Sequence, residues 1–203
     1  EEPPEHAVLI LTAPDMGQLL PTIVSRCQVF PLRPLPVAAT EAALIERFAV
    51  APDQAALLAR LSGGRIGWAV RAAADNALLT LHRQRVDMLQ QALAATRGQR
   101  LAQAAALSEE FGKGVDGREA VHETLDLWAG WWRDLLLLRQ GCAALIVNAD
   151  RTSELHDAAA RYSAQDAARC VGAIIAARDH LDRNVNARLA LEALLLAMPH
   201  NRR

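Results

Sequence analysis

The sequence predicts a mainly α-helical fold that begins with a short α/β remnant. Three observations predict it. From residue 37 onward, apolar side chains recur at helical spacing in one segment after another. Helix-capping residues and paired glycines punctuate those segments. Strand-like apolar runs are confined to the first 36 residues, where prolines crowd.

Taken in order, Pro3-Pro4 would end a helix, and Ala7–Thr12 is a short apolar run of buried-strand type. One strand cannot make a sheet, so "EEPPEHAVLILTAPD" reads as the middle of a protein whose other strands lie upstream. A loop with Pro14 and Gly17 leads to "QLLPTIVSRC", and Gln28–Leu32 is a second extended stretch. Pro31, Pro34 and Pro36 make "FPLRPLP" a stiff linker. Thr40 is predicted to cap a helix from Glu41 to about Val50, with Ala43, Leu44 and Phe48 along one side. Asp53 is predicted to cap a second helix, "QAALLARL", closed by Gly63-Gly64. A third begins near Ile66 and runs through "GWAVRAAA". These three form a small module over 37–77.

Residues 78–203 read as longer helices. Leu78–Ala95 and Gln99–Glu110 come first, and "FGKGVDG" breaks the chain after them. In Arg118–Arg139, Leu125, Trp128, Trp131, Trp132, Leu135, Leu136 and Leu138 cover an arc of more than half the circumference. Asp126, Gly130, Arg133 and Asp134 are placed opposite, and so wide an arc implies more than one packing neighbour. Ser163 and Asp166 form a capping box that opens Ala164–Arg183. In "VNARLALEALLLAMP" the only charges are Arg188 and Glu192, spaced as an i,i+4 pair, so that helix is expected to be deeply buried or in an interface.

Composition narrows the function. The formal net charge is −1 over 203 residues, which gives no global case for autonomous DNA binding through many phosphate contacts. Of 22 basic residues, Lys113 is the single lysine. Cys27, Cys142 and Cys170 are odd in number and widely spaced, as in a cytosolic protein with reduced thiols. No run reaches the ~18 apolar residues of a membrane span, and no signal peptide opens the chain, so no membrane partner is expected.

Four chemistries bear on these residues. A P-loop requires Gly-rich backbone ending in Gly-Lys-Ser/Thr, but Lys113 is followed by Gly114 and flanked by helices, so this chain holds none. Ser25 or Cys27 as a nucleophile would need a base and an orienting acid. No Gly-x-Ser-x-Gly elbow surrounds Ser25, and His6, His82, His122, His156, His180 and His200 are scattered. Metal-ligand spacing is absent. Arg26, just after a loop, fits either a structural arginine or an arginine finger, whose permanently charged fork stabilises a transferring phosphoryl group.

The segment "LLPTIVSRCQVFPLRPL" resembles the Ser-Arg-Cys motif of clamp-loader subunits, AAA+ proteins that place sliding clamps on DNA. "EEPPEHAVLILTA" is similar to the family segment after the Walker B strand and helix, and "LSGGRIGWAV" to the lid motif that carries sensor 2. "WWRDLLLLRQG" and "NVNARLALEALLLAMP" resemble the family's collar domain. The resemblance implies the end of an AAA+ core over 1–36, a three-helix lid over 37–77 and an all-α collar, an oligomerisation domain, over 78–203. It implies that Arg26, in its motif with Ser25 and Cys27, reaches in trans to ATP and Mg on a neighbouring subunit, while this chain binds no cofactor or metal. Ser25 would shape the turn, and Cys27 would be packed rather than reactive. Thr12 is the sensor-1 candidate. Gly67 stands where ATP-hydrolysing relatives keep the sensor-2 arginine, which favours a non-catalytic subunit of the bacterial DNA polymerase III clamp loader. Trp128, Trp131, Trp132, Leu135, Arg188, Leu191 and Leu195 are the candidate interface residues. The implied partners are gamma/tau and delta subunits, with the sliding clamp and primed DNA reached indirectly, in the bacterial cytoplasm. The alternatives are a gamma/tau-type ATPase fragment and a free-standing helical interaction domain.

Overall fold

A computed structural model describes residues 6–13, 16–183 and 185–200. Pro3, Pro4, Pro14 and Asn184 lie outside these described residues. Among the described residues there are ten α-helices and no strand, so the mainly α fold class holds. The chain divides into two compact units, Glu1–Arg33 and Pro34–Arg203.

Among its described residues the first unit carries a single 3-10 turn at Met16–Gln18 and one α-helix, α1 (Pro21–Val24). The expected strand at Ala7–Thr12 is a correction: the segment is irregular, and Val8, Leu9, Ile10 and Leu11 are exposed. A strand exists through its ladder, and no described residue pairs with this one. Gln28–Leu32 is likewise irregular.

The second unit opens with α2 (Val37–Phe48), α3 (Pro52–Leu61) and α4 (Ile66–Ala74). Leu44, Ala55, Leu58, Ala59, Ala69 and Ala72 form their shared core. Both expected caps are displaced. Helix α2 starts from Pro36, and Thr40 sits within its first turn, where Oγ1 donates to the Pro36 carbonyl at 3.1 Å. Helix α3 starts from Ala51 with proline at its first position, leaving Asp53 in the first turn to complement the helix dipole. Gly64 has φ +84°, and a Cβ there would lie 2.4 Å from the Leu35 carbonyl oxygen. The Leu35 amide donates to the Gly64 carbonyl at 3.0 Å, so only glycine lets the proline-rich linker lie this close to the module.

The remaining helices are α5 (Asn76–Ala94), α6 (Arg97–Phe111), α7 (Val115–Arg139), α8 (Thr152–Arg161), α9 (Ala164–Asp182) and α10 (Ala187–Ala197). They share one core around α7, which packs against α5, α6, α8 and α9. This is why its apolar arc is so wide: four neighbours surround it. Trp131 and Trp132 meet edge to face at 5.1 Å, and Tyr162 meets Trp132 at 5.3 Å. Trp128 donates through Nε1 to the Arg85 carbonyl at 2.8 Å. Gly117 allows the tight α6–α7 connection, because a Cβ there would fall 2.0 Å from the Glu110 carbonyl oxygen. The Ser163–Asp166 capping box forms as expected. A second box, Thr96–Gln99, opens α6 and was not anticipated.

Asp134 is a further correction. It was placed on the polar face of its helix but is fully buried. Its Oδ2 accepts from the Val147 amide at 3.0 Å and from the Asn148 amide and side chain, each at 2.8 Å. Arg133 Nη2 donates to Oδ1 at 3.4 Å, so four donors compensate the buried carboxylate, and the three on Oδ2 pin the 140–151 segment onto the bundle. Arg60 of α3 grips the same segment by donating to the Ala144 and Ile146 carbonyls at 3.2 and 3.4 Å.

His82 on α5 is 6 % exposed and meets Trp68 in a tilted ring contact at 5.7 Å, and neither ring nitrogen has a hydrogen-bond partner. Burial pulls its pKa from 6.5 down to about 4. Asp150 opposes that fall, while Arg151, Arg65 and Arg83 reinforce it. The unfolded chain therefore takes up a proton below about pH 6.5 that the folded chain refuses until about pH 4. Stability from this residue is complete above pH 6.5 and declines as pH falls through that window, by about 2 kcal/mol at pH 5. Urea unfolding from pH 7.5 to 4.5 measures it. His82→Leu should flatten that part of the profile, and an unchanged slope would refute the assignment.

Candidate functional site: the Ser25–Arg26–Cys27 turn

Leu20 precedes a proline and is therefore extended, with ψ 133°. Pro21 then occupies the first position of α1, where its missing N–H costs nothing and its fixed φ suits the helix. The Ile23 amide closes the turn on the Leu20 carbonyl at 2.9 Å, and the Ser25 amide reaches the Pro21 carbonyl at 2.9 Å. The turn then tightens. The Arg26 amide donates to Ile23 at 3.1 Å and the Cys27 amide to Val24 at 3.3 Å. Two side chains converge on the Thr22 carbonyl: Ser25 Oγ donates at 3.2 Å and Arg26 Nη1 at 2.9 Å.

Arg26 is exposed, and no carboxylate among the described residues pairs with it. Arg83, Arg85, Arg151, Arg169, Arg178 and Arg188 do have such partners. Ser25 Oγ contacts only its own turn, with no histidine as base. Cys27, expected to be packed, is exposed among the described residues. Cys170 is the buried thiol, and desolvation pushes it up to about 12, which makes it inert.

The other expected site residues scatter. Thr12 is exposed in an irregular segment. Gly67 lies exposed in the first turn of α4, with open space where a side chain would begin. Most of the expected interface set is corrected. Trp128, Trp131, Trp132, Leu135, Leu191 and Leu195 are fully buried inside this chain and offer a partner no surface. Their apolar arcs are consumed by neighbouring helices of the same bundle. Arg188 is exposed and makes the expected i,i+4 pair with Glu192 at 2.9 Å. The apolar surface left on this stretch belongs to Val185, Leu189 and Leu196, which sequence spacing alone did not separate from the buried leucines.

Arg100 escaped sequence reading altogether. It is 5 % exposed, and its guanidinium donates to five carbonyls, those of Ala92, Leu93, Leu195, Met198 and Pro199.

Comparison with known proteins matches two segments. The family model described as DNA polymerase III, delta subunit, matches residues 1–36, which include the Ser25–Cys27 turn. The model described as DNA polymerase III, delta subunit, C terminal, matches residues 83–200, the bundle from α5 to α10. DNA polymerase III subunit delta' of Bacillus subtilis is 28 % identical over 200 residues, covering 98 % of this chain and 58 % of that relative. The chain therefore spans little more than half the length of its curated relative. No solved structure matches. With more than half of its length under the C-terminal model, the chain belongs to the DNA polymerase III delta subunit family, as a homologue of the delta-prime clamp-loader subunits.

Proposed function

We propose that this chain is the Ser-Arg-Cys and collar-bearing part of a delta-prime subunit, which presents Arg26 to ATP and Mg held by an adjacent gamma/tau subunit. One observation carries this reading. Arg26 is an exposed guanidinium with no carboxylate among the described residues, set on a proline-led turn within the family match. An arginine so placed is available to an anion, and phosphate oxygens fit its fork. The helices of residues 78–203 act as the collar that joins gamma/tau and delta, and Arg188, Val185, Leu189 and Leu196 supply exposed surface for that contact. Sliding clamp and primed DNA are reached through the assembled complex. Gly67 leaves the sensor-2 place without a cation, which weighs against the ATPase alternative.

The test is reconstitution of the loader with the full-length subunit carrying Arg26→Ala, followed by ATP hydrolysis with clamp and primed DNA present. Slower turnover at intact assembly is expected. Wild-type turnover in a correctly assembled complex would overturn the reading.

A further inference from the structure

We propose that helix α1 is a splint that orders Arg26 before it meets its target, with Pro21 and the Thr22 carbonyl as its positioning groups. The inference rests on the reading of Arg26 as an arginine acting in trans. It begins with where the backbone hydrogen bonds go. In a continued α-helix the Arg26 amide would take the Thr22 carbonyl. Here that amide turns to Ile23 at 3.1 Å and the Ser25 amide goes to Pro21 at 2.9 Å, which leaves the Thr22 oxygen to side chains. Arg26 Nη1 donates to it at 2.9 Å, so the residue is tied to its own turn twice, once by its amide and once by its guanidinium.

Only one of the five guanidinium N–H groups is engaged in this way, and the others stay available to an anion. A long side chain that must be ordered on engagement loses rate for that ordering, whereas one already held does not. Pro21 keeps the carbonyl in place. Its ring fixes φ, and it holds Leu20 extended, so the turn has few alternatives.

The test is a double-mutant cycle in the assembled loader with full-length subunit. Pro21→Gly should lower kcat for ATP roughly threefold to tenfold, the rate equivalent of ordering one long side chain. KM for ATP should stay unchanged, since the nucleotide sits on the neighbour. Pro21→Gly added to Arg26→Ala should slow turnover no further, because the splint acts only through the arginine. An unchanged kcat in Pro21→Gly, or equal losses in both backgrounds, would sink the splint while leaving the finger standing. Wild-type turnover in Arg26→Ala would sink both. A second measurement needs no assembly: ¹⁵N NMR of the free full-length subunit should show hindered rotation of the Arg26 guanidinium, with separate Nη signals. A single averaged signal would overturn the proposal.

Discussion

Arg100→Met should unfold this chain about 10 °C or more below the parent, a loss of about 3–5 kcal/mol. The reason lies in what the guanidinium touches. Nε donates to Ala92 at 2.9 Å, Nη1 to Leu195 at 3.0 Å and Met198 at 2.7 Å, and Nη2 to Leu93 at 3.4 Å and Pro199 at 2.9 Å. Ala92 and Leu93 end α5, and Leu195 and Met198 end α10. Final helical carbonyls have no partner within their own helix and carry the negative end of its dipole. One buried cation thus serves carbonyls at two converging helix ends, of which Ala92 alone also takes a backbone donor among the described residues, the Ala95 amide at 3.3 Å. Burial lowers the Arg100 pKa, yet an arginine keeps its charge in proteins. Methionine fills similar volume but donates nothing, leaving buried acceptors unpaired. Arg100→Lys should fall between, since an ammonium has three donors and no fork. Calorimetric melting measures all three chains. Hydrogen exchange adds position, with protection lost first at the α10 C-terminus. A shift under about 2 °C for Arg100→Met would refute this account.

What could be read in advance follows from local physics. Helices α4 to α7, α9 and α10 lie within a few residues of their expected bounds, because apolar spacing and capping residues are short-range signals. Helix α2 started earlier than expected. Its leading proline reads as linker in the sequence, but a proline at the helix cap needs no N–H. Helix α8 passed unnoticed because only Leu155 and Ala158 are buried on it, too few to draw a stripe. Asp134 and Arg100 were misjudged or missed for one reason. A carboxylate becomes tolerable in a core only when distant backbone amides fold over it, and a guanidinium only when two helix ends converge on it. Neither arrangement is local in sequence. The interface residues failed in the opposite sense. Apolar spacing on α7 and α10 shows that a face is buried, but not whether the covering surface belongs to the same chain. The Ser-Arg-Cys turn was legible through its residue order, and its chemistry was not, since an exposed arginine has the same letter whether idle or aimed.

Arg26 is the decisive case for function, and two replacements separate charge from shape. Arg26→Ala removes the cation, and at the ATP site it serves the loss should be large, roughly 10- to 1,000-fold. Trans-acting arginines contribute up to about 10³–10⁵ in GTPases. Total hydrolysis falls by less if other sites in the loader turn over independently, so single-turnover measurement with clamp and primed DNA is the sharper assay. Arg26→Lys keeps a positive charge but loses the planar fork and the fixed Nη1 bond to Thr22. It should recover part of the rate and not all of it. Full recovery would make Arg26 a point charge, with no role for its geometry. Thermal melting supplies the control. Arg26 is exposed and its one side-chain bond is to its own turn, so each variant should melt within about 0.5 kcal/mol of the parent. A large drop in melting temperature would show the side chain holding its own fold, and would remove Arg26 from the chemistry even if hydrolysis fell with it.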